Sequence, residues 1–501
     1  MRLSRHHAAL AAAYLGTFLA SLDISIVNVA LPTMQSALRT DIAGLQWVVN
    51  AYAVCLSAFM LSAGPLADRY GHKRAWVSGV VLFTCGSLLC GIAPDLAVLL
   101  TGRAIQGVSA ALLISGAMPI LTHAFPDPRQ RAHAIGGWSA FSALALILGP
   151  LLGGVLLQWL GWQSIFLVNI PLCLVAVAAG LWGIPERKFP DHAALDTTGQ
   201  LLGILSLGAL AWGMIEAGKY GFSGRLPLMI LAVAAVGFIL FALVEKRTPR
   251  PLLPLALLRE PAFVCVNLAS FILGFSYYSC LFFFSIFLQQ IQGWAPAEAG
   301  LRMLPLFAVT GLVSLLFGRI SARLPMRGLM VAGYGIAGLS MVAMALLHAQ
   351  SAYWLVGTLF ALLGAGAGLA VPGIGMLVMG MAPTEQAGSV SAMMNALRQA
   401  GMTIGIALLG TLMSGQAIRT LTASLNGSGI DDAAQIAHQA VTRHLTSPAV
   451  TDFSARYTTA MESGFHLAML CAGAACFVAM ALLFRLQPVT ECRASISRDS
   501  A

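Results

Sequence analysis

Polar residues in this chain act as punctuation between long apolar runs. From Ala8 to Leu31 the run is broken only by small hydroxyl residues, Tyr14, Asp23 and Asn28, and comparable runs recur as far as residue 484. About 20 consecutive apolar residues cross a bilayer as a helix. The pattern therefore predicts spans near 8–31, 45–65, 75–93, 96–119, 136–157, 163–184 and 197–216. Seven more follow near 226–244, 262–289, 297–318, 328–348, 353–379, 387–413 and 463–484. The expected fold is all-α: fourteen transmembrane helices, antiparallel to their neighbours because most links are short. One long polar stretch, 414–462, holds "NGSG" and the helix-like "DDAAQIAHQAVTRHL". It reads as a solvated surface helix, with a lid or a partner contact as the other readings.

Composition narrows the class. The chain is 58% hydrophobic and 9% charged, with mean hydropathy +0.83. Soluble domains carry about 25% charged residues, so an ordinary soluble enzyme is excluded. The net charge of +9 does not point to nucleic acid, because the basic residues are scattered through short loops. Their distribution orients the chain instead. With a cytoplasmic N-terminus, nineteen of the 28 Lys and Arg fall in inside loops and ends, and seven fall outside. The remaining two, Arg103 and Arg398, lie within spans. The bias holds in both halves, which places both termini in the cytoplasm of a cell-membrane (inner-membrane) protein. The opening "MRLSRHH" looks like a signal peptide, but the apolar run continues past Asp23 without a small-residue cleavage site, so it reads as an uncleaved first span. The nine cysteines show no metal-ligand spacing and read as packing residues. No metal or cofactor is expected.

Two loops share a pattern. "GPLADRYGHKR" occupies Gly64–Arg74, and "GRISARLPMRG" recurs at Gly318–Gly328 with Ala322 in place of the aspartate. An acidic group at a helix end can hold basic groups in one conformation and release them in another. The alternative is a basic loop that only fixes topology, which leaves the recurrence unexplained.

These loops resemble the signature of the major facilitator superfamily. The resemblance is carried further by "TGRAIQGVSAALL" at 101–113, "ALALILGPLLGG" at 143–154 and "WQSIFLVNIP" at 162–171. The second of these motifs departs mildly from the antiporter pattern, with Ala145 at its first glycine position. Together with "SLDISIVNVALP" at 21–32, they are similar to the fourteen-helix drug:proton antiporters of that superfamily. The resemblance implies an N-terminal six-helix half at 1–185 and two extra linking helices at 186–260. A C-terminal six-helix half at 261–485, with an outer loop at 414–462, and a cytoplasmic tail at 486–501 complete it. It also implies alternating access, in which the halves rock around a central cavity. Gly64, Asp68, Arg69, Gly71, Lys73 and Arg74 would form a conformational latch. Gly149, Pro150, Gly153 and Gly154 would form the antiporter motif, where small residues permit close helix approach and Pro favours a bend; packing alone is the other reading.

Asp23 is the acidic residue placed well inside a span, at a cost of roughly 2.5–3.5 kcal/mol on insertion scales. Desolvation favours the protonated form of a carboxylate and a nearby cation opposes it, so Asp23 and Arg103 are the proton-coupling candidates. A permanent polar bond fixing the first helix is the alternative. Candidates for the substrate cavity are Asn28, Gln106, Trp138, Phe271, Phe275, Tyr278, Phe282, Gln289, Asn395 and Gln399, an apolar surface with few polar groups. An aromatic stripe can equally face lipid or pack helices. The function read here is export of lipophilic, cationic drugs in exchange for protons. The alternative is export of one dedicated metabolite, antibiotic, fatty acid or siderophore. An ATP-driven pump or an enzyme lacks support, since no P-loop, HExxH or catalytic triad is present. The expected state is a monomer in membrane lipid, with or without periplasmic or outer-membrane partners.

Overall fold

A computed structural model describes residues 5–186, 196–221, 224–248, 257–381, 387–428, 430, 432–443 and 452–485. Within its helices the side chains of Asp68, residues 128–129, 131–133, 135–136, 139–140, 143, 219, 387–389 and 443 are left undescribed. The expected tail at 486–501 and the side chain of Asp68 thus lie outside the described residues.

All regular structure among the described residues is helical. The first group is α1 (Arg5–Ala37), α2 (Ile42–Tyr70), α3 (His72–Gly91), α4 (Leu96–Ala124), α5 (Pro128–Leu160) and α6 (Ser164–Gly183). Then come α7 (Thr197–Tyr220) and α8 (Arg225–Arg247). The last group is α9 (Pro261–Ile291), α10 (Pro296–Ser321), α11 (Met326–Met344), α12 (Tyr353–Met381), α13 (Ala387–Asn426), the surface helix α14 (Ala433–Arg443) and α15 (Phe453–Arg485). Thirteen of these are long and apolar enough to cross a membrane, and α5 contributes a further apolar segment, Leu144–Leu160.

Four of the 19 acidic residues serve to start helices. Asp41, Asp95, Asp127 and Asp196 each accept a hydrogen bond from the backbone N–H three residues on, satisfying a donor that helix geometry leaves open. Gly71 ends α2 and opens α3 at φ +110°, a conformation that L side chains rarely adopt.

Two regions depart from the sequence expectation. The polar stretch after 413 does not leave the helix: α13 runs 40 residues, about 60 Å at 1.5 Å per residue and twice the hydrocarbon thickness. Ala417, Leu421 and Leu425 on this extension, Ala437 and Val441 on α14, and Tyr457, Ala460 and Met461 on α15 are buried in one cluster. Averaged polarity hid this stripe at helical spacing. The second departure is in α9, where π turns at Gly274–Tyr278 and Phe287–Ile291 each insert a residue. Each insertion rotates the following face, so Phe282 turns into the core, fully buried beside Phe283, instead of continuing the stripe of Phe271, Phe275 and Tyr278.

Helices α1–α6 pack mutually, as do α9–α13 with α15. The pair α7 and α8 lies against α2 and α13. The face that carries Gly71 is called the basic face below. Contacts between the two groups gather toward the opposite face. Gln289 Nε2 donates to Val29 O at 2.8 Å, Gln290 Nε2 to Gln35 Oε1 at 2.8 Å, and Gln46 Nε2 to Ile406 O at 2.9 Å. Near the middle, Ser57 Oγ donates to Ala396 O at 2.8 Å. Nearer the basic face, Tyr14 and Trp138 from one group and Phe271, Phe275, Tyr278, Asn395 and Arg398 from the other keep partial exposure. These partly exposed side chains from both groups, on the side away from the closed contacts, are grouped as the cleft residues.

Candidate functional site

The deepest polar site is built by five helices. Asp23 on α1 and Arg103 on α4 are both essentially inaccessible, at 0% and 1% exposure. Arg103 Nη1 donates to Asp23 Oδ2. It also donates to Gln106 Oε1 at 2.9 Å, and its Nε donates to Val48 O on α2 at 3.0 Å. Gln106 Nε2 donates to Asp23 Oδ1 at 3.0 Å and to Ser87 Oγ on α3 at 2.9 Å. Asn169 Nδ2 on α6 reaches Asp23 Oδ1 at 3.5 Å. The guanidinium also lies over the Tyr52 ring at 4.5 Å. A buried ion pair is retained only when its other lone pairs and protons are satisfied, because each ion costs several kcal/mol to desolvate. Here Asp23 and Arg103 each hold several partners, Asn169 Oδ1 is the buried atom of the cluster left without one, and the bonds join α1 to α2, α3, α4 and α6. Adding a proton to Asp23 would cancel the charge on one side and leave Arg103 with Val48 O, Gln106 Oε1 and the rings.

The arrangement corrects one cavity candidate outright. Gln106 is fully buried and belongs to the Asp23 cluster, because helix α4 turns it inward one turn beyond Arg103. Phe282 is the second, displaced by the π turn described above. Asn28 at 4% and Gln399 at 7% exposure are also covered, with Asn28 Nδ2 bonded back to Ile24 O on its own helix. Gln289 is half-buried and occupied by Val29 O. Trp138, Phe271, Phe275, Tyr278 and Asn395 remain at the cleft. Trp138 Nε1 donates to Thr17 Oγ1 at 2.7 Å, which ties α5 to α1 there.

The glycine motif of α5 separates into two faces. A Cβ at Gly149 would meet Ser25 Oγ at 2.4 Å, and one at Gly153 would meet Ile26 O at 3.2 Å, so these two let α1 close on α5. Gly154 faces α10, where a Cβ would stand 2.5 Å from Ala297 Cα. Pro150 O lies 2.1 Å from the position of a Cβ on Gly300. One short segment thus touches the Asp23 helix on one side and the second helix group on the other.

At the basic face Gly71 carries the turn of the 64–74 loop, and a Cβ there would meet Glu186 Oε1 at 2.1 Å. Arg74 Nε stands 3.7 Å from Glu186 Oε2, Lys73 Nζ donates to Leu181 O, and Arg69 lies over Tyr70. Gly64 has open space about it.

Sequence reasoning missed Ser87, Asn169, Tyr52 and Glu186. Ser87 and Asn169 carried a usable signal, since each is a polar residue inside an apolar run. Glu186 carried none, because its meeting with Gly71 depends on how α6 packs beside α3.

Compared with known proteins, residues 13–406 match the family model described as Major Facilitator Superfamily. The chain is 38% identical over 365 residues to the multidrug resistance protein Stp of Mycobacterium tuberculosis, an alignment spanning 71% of this chain and 66% of that protein. The chain thus matches just under two thirds of that relative's length. It is 33% identical over 354 residues to the methylenomycin A resistance protein of Streptomyces coelicolor, covering 71% of this chain and 74% of the other. Among solved structures, a bacterial homolog to the human lysosomal transporter Spinster, inward-facing and unoccupied, superposes with TM-score 0.65 at 18% identity, over 97% of both chains. At that identity the likeness concerns the fold.

Proposed function

The chain belongs to the Major Facilitator Superfamily, and from that premise we propose that it exports lipophilic small molecules in exchange for protons. It is a multi-pass membrane protein and a transporter rather than an enzyme. The bias of basic residues supports a cell-membrane location with both termini cytoplasmic. In that orientation the cleft opens to the cytoplasm and the seam at Gln289, Gly154 and Gly300 closes the outer side.

The observation that carries the reading is the Asp23–Arg103 pair, buried and bonded to side chains or backbone of α2, α4 and α6. Two residues beyond Asp23 on the same helix, Ser25 Oγ donates to Leu146 O at 2.9 Å and packs on Gly149. The α5 segment that receives it closes on α10 one turn later. Protonation of Asp23 removes the attraction that fixes α1 to α4. A shift of α1 then bears directly on α5 and, through Pro150 and Gly154, on the outer seam. Compound entering from the cytoplasm drives that seam open, and outward opening releases it and lets a proton reach Asp23. The protonated protein closes the seam again, after which loss of the proton to the cytoplasm restores the pair. The turn at Gly71, with Arg74 on Glu186, would steady the cytoplasmic ends of α2, α3 and α6 in one of the two states.

The test is purified protein in proteoliposomes with an imposed proton gradient and a panel of acidic, neutral and cationic lipophilic dyes. Gradient-dependent efflux that vanishes with an uncoupler and in Asp23→Asn supports the reading. Equal efflux with and without the gradient removes it. The name of the methylenomycin relative favours a second reading, export of one dedicated metabolite. Mutual competition among unrelated dyes separates the two.

A further inference from the structure

We propose that the cleft recognises flat apolar compounds carrying a carboxylate or a similar planar oxyanion, with Arg398 as the residue that pairs with it. This deepens the export reading above and rests on it. The sequence reading expected cations, on the strength of Asp23. In the structure Asp23 is enclosed and already paired with Arg103, so it presents no charge to the cleft. Arg398 is different. It lies on α13 about three turns from the start of the helix at Ala387, stays partly exposed, and is in none of the ion pairs among the described residues. Its side-chain contacts are Asn395 Oδ1, which accepts from Nη2, and the Tyr278 ring, 5.5 Å from the guanidinium carbon. A guanidinium has five N–H donors, so most of this one's donors remain for a ligand.

The side chain is also well aimed. A Cβ on Gly274 would stand 1.8 Å from Arg398 O, and one on Gly401 would stand 2.0 Å from Phe271 O. The two backbones therefore touch where α9 makes its first π turn, and the turn that bears Arg398 is fixed against it. π turns of this kind recur at functional sites. Asn395 holds one edge of the guanidinium plane, while Phe271, Phe275 and Tyr278 supply apolar rings beside it. Charged side chains inside a membrane span mark substrate or ion paths, and a guanidinium matches a carboxylate in a paired, planar geometry. A cationic compound would meet like charge here, in surroundings that screen it poorly.

An isosteric series tests the charge alone: 2-naphthoate, neutral 2-naphthamide and the planar 2-naphthamidinium cation, titrated calorimetrically into the full-length protein in detergent. The expected order is naphthoate tighter than the amide by at least about tenfold, or ~1.4 kcal/mol, with the cation weakest. Arg398→Gln should bring naphthoate to within about twofold of the amide, and amide binding that remains measurable reports a folded protein. Arg398→Lys should keep the preference for the anion. Equal binding of naphthoate and amide to the wild type, a preference that survives Arg398→Gln, or no binding of any member overturns the inference. Failure of the export reading looks different: no member, and no dye, moves under a proton gradient in proteoliposomes, whatever the binding order.

Discussion

The seam between α5 and α10 allows the two-state reading to be tested with a single methyl group. In Gly300→Ala the added Cβ would lie 2.1 Å from Pro150 O. To regain a carbon–oxygen contact of about 3.3 Å the helices must part by roughly 1 Å. Both partners are backbone atoms, so no side chain can rotate away. Overpacking of this kind costs about 1–3 kcal/mol, and the cost falls on the state in which the seam is closed. If the seam opens in the second state, the ratio of the two states moves by about 5- to 150-fold toward it. The assay is pulsed electron–electron distance measurement between spin labels at Arg39 and Glu298, both exposed on the face opposite Gly71, in a cysteine-free background. Gly300→Ala should add weight to longer distances, whereas Gly415→Ala, with nothing within 4 Å of its added methyl, should change nothing. An unchanged distance distribution in Gly300→Ala, with only a lowered melting temperature, would mean that this seam does not part and that access changes elsewhere.

Three further outcomes follow from the same geometry. Asp23→Asn should abolish gradient-driven efflux while Asp23→Glu keeps part of it, and Asp23→Ala should lose about 3–5 kcal/mol by leaving Arg103 buried without its counter-charge, read by thermal unfolding beside the transport assay. Gly71→Ala combines a strained φ of +110° with a clash against Glu186; a local cost of about 1–3 kcal/mol should lower the maximal efflux rate severalfold with little change in half-saturating concentration. Cysteines placed at Val233 and Ile239 on α8, which the protein leaves uncovered, should react with a lipid-soluble maleimide equally fast with and without bound compound, and protection at both would relocate the substrate path to the linking pair.

The sequence alone determined the number and order of the helices, because apolar length is a local property and a bilayer reads it directly. It also determined that Asp23 and Arg103 are exceptional, since a charge in an apolar run is visible without neighbours. What it could not determine is which charges meet. Arg103 and Arg398 look alike as isolated cations within spans, yet tertiary packing buries the first against Asp23 and leaves the second open to the cleft. The same packing drew Gln106 out of the cavity and into the Asp23 cluster, and brought Ser87 and Asn169 to it from helices far along the chain. The aromatic stripe of α9 failed for a related reason. Helical spacing assumes 3.6 residues per turn throughout, and the first π turn breaks that register where α9 packs on the glycines of α13. Periodicity is fixed by the local backbone, while the partner of each polar group is fixed by contacts between helices, joining residues from 19 to 146 positions apart in the Asp23 cluster.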